Sequence, residues 1–260
     1  MLEGILFDYD GTISSSSKRQ FEWFKYWAEH NNVDFPFSQV DEFMIYYNYH
    51  INKEGGVQNV YDELDLPCDM DDFDHLVWQH YKEFKQKNSA GIYSGMEQAL
   101  RTIREMTSLS EDVERNRRVL MAINTTNSWE SIHKELSENE LIQCFDYKVT
   151  KETLLAYHGA GKGKSLEKPS KISVALSLQQ MGTNGVATIH IGDSLVDLQS
   201  SINVRKFGDY RNESLITVGV LWGYEGEKIL QGVKTDYGRV NFRHIAEKPE
   251  DLPRIISTYL

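Results

Sequence analysis

Apolar residues recur along this 260-residue chain with two different periods. Ile5-Leu6-Phe7 is a short unbroken apolar run that ends in Asp8-Tyr9-Asp10-Gly11-Thr12. Such a run predicts a buried strand followed by a polar turn. From position 14 to about 90 the apolar positions step by three and four instead. Phe21, Phe24 and Trp27 form one set, Phe43, Tyr46 and Tyr47 a second, and Leu76, Trp78, Tyr81 and Phe84 a third. That spacing predicts amphipathic helices packed on one another, with the aromatic stripes as their core. Ser14–Ser17 supplies capping residues for the first helix, and Gly55-Gly56 a loop between helices.

From about 91 onward short strands and helices alternate. Helices are predicted over Met96–Met106, Trp129–Leu136, Ile172–Met181 and Asp251–Leu260. Strands are predicted over Val119–Ile123, Phe145–Val149, Ala187–Ile191 and Leu215–Val220. Residues 108–118 read as a charged, linker-like stretch and 159–165 as a Gly/Lys-rich loop. The alternation implies an α/β fold, a doubly wound parallel sheet with helices on both faces. Residues 1–13 and 91–260 would build that core domain, and 14–90 an inserted helical domain. In such folds ligands sit outside the carboxyl ends of the strands.

Composition narrows the class of partner. At 40% hydrophobic residues the chain can fill a core, and its net charge is −11. No Lys/Arg cluster is long enough to track a phosphate backbone, so neither nucleic acid nor an anionic membrane surface is an expected partner. The cysteines, Cys68 and Cys144, are far apart and form no CxxC pair, which suits a reducing compartment. No basic-then-apolar leader is visible, and no run approaches the roughly 18–20 apolar residues of a membrane span. The expectation is a soluble, cytoplasmic protein.

The chemistry concentrates at predicted strand ends. Asp8 and Asp10 follow the first strand. Clustering two like charges there costs several kcal/mol unless something offsets it. Mg²⁺ does so naturally, because it takes carboxylate oxygens together with water and phosphate. Thr126 and Asn127 follow the Val119–Ile123 strand, with Thr125 as an alternative donor one residue earlier. Asp193 and Asp197 follow Ala187–Ile191, and Lys168-Pro169 opens the helix before that strand. An oxygen nucleophile, a metal, hydroxyl or amide donors and a fixed cation are the parts of phosphoryl transfer. Each residue also has a plainer reading. Lys168-Pro169 could be a surface loop, Asp197 a solvated first-turn residue favoured by the helix dipole, and Gly11 a turn requirement.

Taken in order, Asp8-Tyr9-Asp10-Gly11-Thr12, Thr126-Asn127, Lys168-Pro169 and Gly192-Asp193-Ser194-Leu195-Val196-Asp197 resemble the motifs of the haloacid dehalogenase superfamily. The resemblance covers nearly the whole chain, including the helix start around Glu247–Leu252. It implies a Rossmann-like core with an inserted helical cap. It also implies Asp8 as a nucleophile that becomes an aspartyl-phosphate, and Asp10 as general acid and then base. Thr126, Asn127, Lys168 and Gly11 would bind the substrate phosphate. Asp8, Asp10 (through its backbone carbonyl) and Asp193 would hold Mg²⁺, supported by Asp197.

Asp10 matters for choosing within the superfamily, because members that cleave carbon–halogen bonds lack this second acid. Its presence implies a phosphatase for a small phosphorylated metabolite, similar to phosphoglycolate phosphatase-like members. A β-phosphoglucomutase-like mutase is the alternative among enzymes. Two non-enzyme alternatives are a receiver-type phosphorylation switch and a scaffold whose catalysis has decayed. The chain is too long for a single receiver, and the joint presence of Asp8, Asp10, Lys168 and Asp193 argues against decay. One departure from the pattern is Ser14–Ser17, where many capped members carry an acid.

Overall fold

The run Gly4–Phe7 forms strand β1, buried at every position, and it lies in the middle of the sheet. The remaining core elements, in chain order, are β2 (Leu120–Asn124), β3 (Tyr147–Val149), β4 (Thr188–Gly192), β5 (Leu215–Val220) and β8 (His244–Ala246), ordered β3-β2-β1-β4-β5-β8 across the sheet. Every pairing is parallel, with Leu6 flanked by Ala122 and His190. A short antiparallel hairpin, β6 (Val233–Thr235) and β7 (Gly238–Val240), stands apart from this sheet. The computed structural model describes all residues except Met1, Asn52, Glu54, Met70, Asp71, Phe73, 110–117, 159–165, Glu167, 184–186 and 206–214. Most of the linker-like stretch at 108–118 and all of the loop at 159–165 therefore lie outside the described residues.

Side chains alternate across a strand, so β1 serves two cores. Ile5, Phe7 and Tyr9 join Met121, Ile123, Ile189 and Ile191 in the larger core cluster. That cluster takes in Met96, Leu100 and Ile103 of helix α5 (Met96–Leu109) and Leu252 and Ile256 of α10 (Asp251–Ser257). Leu6 packs on the opposite face, with Ala122 and with Val174, Leu178 and Met181 of α8 (Lys171–Met181). Asp8 thus continues the face of Leu6 and Tyr9 the face of Phe7, which sends neighbouring residues of the turn to opposite sides of the sheet.

The chain folds as two compact units, Met1–Ser14 with Ile92–Leu260, and Ser15–Gly91. The second unit is helical: α1 (Ser16–His30), α2 (Val40–Ile51), α3 (Gln58–Glu63) and α4 (Leu76–Lys87). Its interior is aromatic. Trp23 stacks on Trp27 with centroids 5.5 Å apart, Phe24 meets Tyr61 at 4.7 Å, and the Trp23 indole donates to the Tyr61 hydroxyl at 2.7 Å. Such pairs add stability beyond their buried area. No helix among the described residues is long and apolar enough to cross a membrane. Neither cysteine is in a disulfide; Cys144 is buried and Cys68 partly so.

Several boundaries differ from those the pattern predicts. Ser15 takes the N-cap position of α1 without a side-chain cap bond, and Ser14 is buried and bonded elsewhere. The strand predicted over Phe145–Val149 is shorter, because Ile142–Cys144 forms a 3₁₀ turn and Phe145 turns its ring edge-on to Phe7. Ala187 is left-handed (φ 62°), so β4 starts one residue late and runs to Gly192. Helix α5 continues to Leu109, and the closing helix stops at Ser257. Helices α7 (Lys151–His158) and α9 (Leu195–Arg205) and strands β6–β8 are further elements of the core. α6 (Trp129–Glu138) is capped by Ser128, whose hydroxyl accepts from Ser131 N–H.

Asp146, just before β3, ties this side of the sheet together. It accepts both Nη1 and Nη2 of Arg104 at 3.0 Å, a third bond from Arg118, and the Met121 N–H of β2 at 3.0 Å. Removing the carboxylate strands a largely buried guanidinium and a backbone donor. Asp146→Ala is expected to lower unfolding stability by about 2–4 kcal/mol in urea titrations. A loss under about 0.5 kcal/mol would show that Asp146 is not a staple.

Candidate active site

Lys168 occupies the turn before α8, with a cis peptide to Pro169. Its ammonium is buried and bonds Asp8 Oδ1 at 2.5 Å and Asp197 Oδ1 at 2.7 Å. A buried ammonium is tolerable only when paired and hydrogen-bonded. Lys168 is therefore no surface-loop residue. Asp197, 2% exposed, is likewise no solvated first-turn residue of α9. The other Asp197 oxygen accepts from the Ser194 hydroxyl at 2.6 Å, which pins the carboxylate across the start of α9.

Asp193 lies at the end of β4, also 2% exposed, and accepts the Tyr224 N–H at 2.7 Å. Gly11 (φ +82°) packs directly on it: a Cβ there would strike Asp193 Oδ2 and the Tyr224 ring. Gly11 thus serves both a left-handed turn and a close approach. A Cβ on Gly223 would also strike Asp193. The residue pattern does not single out this segment after β5, although it is the end of a parallel strand like the others. There Trp222 Nε1 donates to the Thr12 carbonyl at 2.9 Å, and Glu225 accepts the Leu195 N–H at 2.7 Å.

Asp10 is half-buried, and its Oδ2 accepts from Asn127 Nδ2 at 2.5 Å and from the Thr125 hydroxyl at 3.4 Å. Thr126 is exposed, whereas Thr125, 2% exposed, is the hydroxyl at the strand end. The strand runs through Asn124, so the first residue beyond it points into the site and the next points out. Asn127 donates its amide to Asp10 and its backbone N–H to Thr125 Oγ1 at 3.1 Å. Nor does the Asp10 carboxylate belong to the acidic cluster. Among the described residues, Asp8, Asp193 and Asp197 are the group in which each can offer one carboxylate oxygen within 4.8 Å of those of the other two.

A family model described as haloacid dehalogenase-like hydrolase matches residues 5–205. The chain belongs to the haloacid dehalogenase-like hydrolase family. Solved structures agree in fold at low identity. A putative β-phosphoglucomutase from Thermotoga maritima has TM-score 0.61 at 16% identity, covering 100% of both chains. A putative phosphoglycolate phosphatase from Lactobacillus delbrueckii subsp. bulgaricus has TM-score 0.59 at 16% identity, covering 98% of each. A putative haloacid dehalogenase-like hydrolase from Bacillus subtilis, bound to magnesium, has TM-score 0.61 at 14% identity and 98% coverage of each. No curated protein matches the chain.

In this haloacid dehalogenase-like protein the acidic cluster outweighs its cation. Burial pushes the Asp8 carboxyl up to about 7; Lys168 opposes that, while Asp197 and Asp10 add to it. Burial, then Asp8 and Asp197, hold Asp193 well above the carboxylate range. Burial also acts upward on Asp197, but Lys168 and His190 outweigh it and the net shift is down. One ammonium facing three buried carboxylates leaves negative charge that a hard divalent cation with oxygen ligands would neutralise. The donor set fits Mg²⁺.

The sign of the pH dependence follows. Asp8 and Asp193 bind protons more tightly folded than unfolded, so without a cation their contribution is full below pH 3.8 and is lost as pH rises, for Asp8 through about 7. Buried His190, pushed down to about 4 by desolvation, opposes this slope between 4 and 6.5. The metal-free protein should therefore lose stability from about pH 6.5 to 8, by about 1 kcal/mol or more. Excess Mg²⁺ should remove that loss in scanning calorimetry. A flat or rising metal-free profile over that window would contradict this charge balance.

Proposed function

We propose that the protein is a Mg²⁺-dependent phosphatase for a small phosphomonoester, acting through phosphorylation of Asp8. The observation that carries this reading is the Lys168 ammonium seated on Asp8 inside the Asp8–Asp193–Asp197 cluster, with Asp10 two residues away. Membership of a hydrolase family supports it, as does similarity in fold to a putative phosphoglycolate phosphatase. Asp8, Asp193 and the backbone carbonyl of Asp10 would hold Mg²⁺, which supplies charge neutralisation for the carboxylates and the phosphoryl oxygens.

Asp8 attacks phosphorus with one carboxylate oxygen while the bond to the ester oxygen breaks. Asp10 gives its proton to the departing alkoxide. Lys168 and the Thr125 hydroxyl donate to the phosphoryl oxygens, and Lys168 partly offsets the burial that favours the protonated form of Asp8. In the second half Asp10, now a carboxylate, takes a proton from water as that water attacks the aspartyl-phosphate. The Asp8–phosphorus bond breaks, orthophosphate leaves and Asp10 is again protonated. Asn127 holds Asp10 ready for both transfers. The helical unit Ser15–Gly91, inserted directly after the Asp8–Ser14 loop, would act as a cap that excludes water during the first half.

Hydrolysis of a generic aryl phosphate tests this. Phosphate release should require Mg²⁺, and Asp8→Asn should lower kcat on the order of a thousand-fold or more. Thr125→Ala should cost on the order of a hundred-fold, and Thr126→Ala should change little. Release that persists without Asp8, or a larger loss at Thr126 than at Thr125, would refute the assignment.

A further inference from the structure

Beneath the Asp8–Ser14 loop lies a buried acid that the proposed chemistry does not use. Glu135, on α6 and 3% exposed, accepts the Tyr9 hydroxyl in a short hydrogen bond and the Ser14 hydroxyl at 2.8 Å, both on Oε2. Tyr9 and Ser14 are themselves fully buried. A carboxyl group inside a hydrophobic core is costly, and the Tyr9 and Ser14 hydroxyls offset part of that cost. Packing alone does not require it, since Ile132 and Leu136 of the same helix fill the adjoining core with apolar side chains.

The placement of the donors gives the acid a job. Tyr9 is the residue between Asp8 and Asp10, and its backbone carbonyl accepts the N–H groups of Ile13 (2.8 Å) and Ser14 (2.9 Å). Ser14 closes the loop from the other end, its carbonyl accepting the Gly11 N–H at 3.0 Å. Glu135 therefore grips both ends of the loop that carries Asp10. The same helix is preceded by Asn127, which holds the Asp10 carboxylate itself. One rigid element thus fixes the loop at its base and its acid at its tip.

We propose that Glu135 is a positioning residue for the reaction, setting Asp8 and Asp10 relative to each other through the Tyr9 and Ser14 hydroxyls. The proposal rests on the phosphatase reading above. Reacting groups displaced by about 1 Å can lose a hundred-fold in rate. Glu135 touches no reacting atom, so its loss should move kcat and leave substrate binding alone.

The test compares wild type with Tyr9→Phe, Glu135→Met, which keeps the length of the side chain and removes its acceptor, and the double variant, in the 260-residue chain with Mg²⁺ and an aryl phosphate. Each single variant should lower kcat by about ten- to a hundred-fold. KM and inhibition by orthophosphate should stay at wild-type values, and thermal unfolding should show a folded protein at the assay temperature. Residues acting through one contact are non-additive, so the double variant should be no slower than the slower single one. Unchanged kcat in the folded variants, a rise in KM at constant kcat, or multiplying effects would overturn the proposal while leaving the phosphatase reading intact. An inactive wild type would overturn both. If Glu135→Met does not fold, Tyr9→Phe, which keeps the ring, decides alone.

Discussion

The site depends on one buried ammonium. Lys168 lies between Asp8, at the end of the central strand, and Asp197, in the first turn of α9. Paired charges that deep contribute little net stability, but removing one partner is expensive, so the contact fixes geometry more than it adds energy. It pulls together the end of β1, the turn before α8 and the start of α9. Asp193, held by the Tyr224 N–H and packed on Gly11, brings in the segment after β5. The charge that Lys168 does not cancel is what makes the site a place for a dication and a phosphate.

Much of this is legible in the sequence because the chemistry sits at strand ends, and strand ends are where an apolar run meets polar residues. The run Ile5–Phe7 before Asp8, and the β-rich stretch Ala187–Ile191 before Gly192-Asp193, mark themselves in this way. The Thr125–Thr126 choice is one that pattern reading leaves open: strand β2 ends in a polar residue, Asn124, so the apolar run stops before the strand does. The loop after β5 is silent for a different reason. Its contribution to Asp193 is a backbone N–H at Tyr224, and a backbone donor leaves no trace in residue type. Helices α7 and α9 carry their apolar residues, such as Leu154 and Leu155 or Leu195, Val196 and Leu198, on no single face, so they give little amphipathic signal.

Buried polar groups that no motif includes are the other blind spot. Glu135 lies in a helix whose sequence, Trp129–Glu138, reads as an ordinary amphipathic segment with exposed acids. Only the fold shows that this acid points inward, to Tyr9 and Ser14. The two supports of the acidic loop then differ in kind. On one face of the sheet a cation pairs with Asp8, and on the other a carboxyl group holds hydroxyls that flank Asp10. Alternation along β1 makes this division possible, since Asp8 and Tyr9 face opposite sides.

The most direct test of the account is peptide mass spectrometry of the Asp10→Asn protein after mixing with Mg²⁺ and an aryl phosphate. An aryl oxide leaves without a proton donor, so the first half of the reaction should proceed, while hydrolysis, which needs Asp10 as base, should stall. The account predicts one phosphoryl group on the peptide containing Asp8, absent when Asp8 is also replaced. A protein that stays unmodified, or carries the phosphoryl group on another residue, would contradict it.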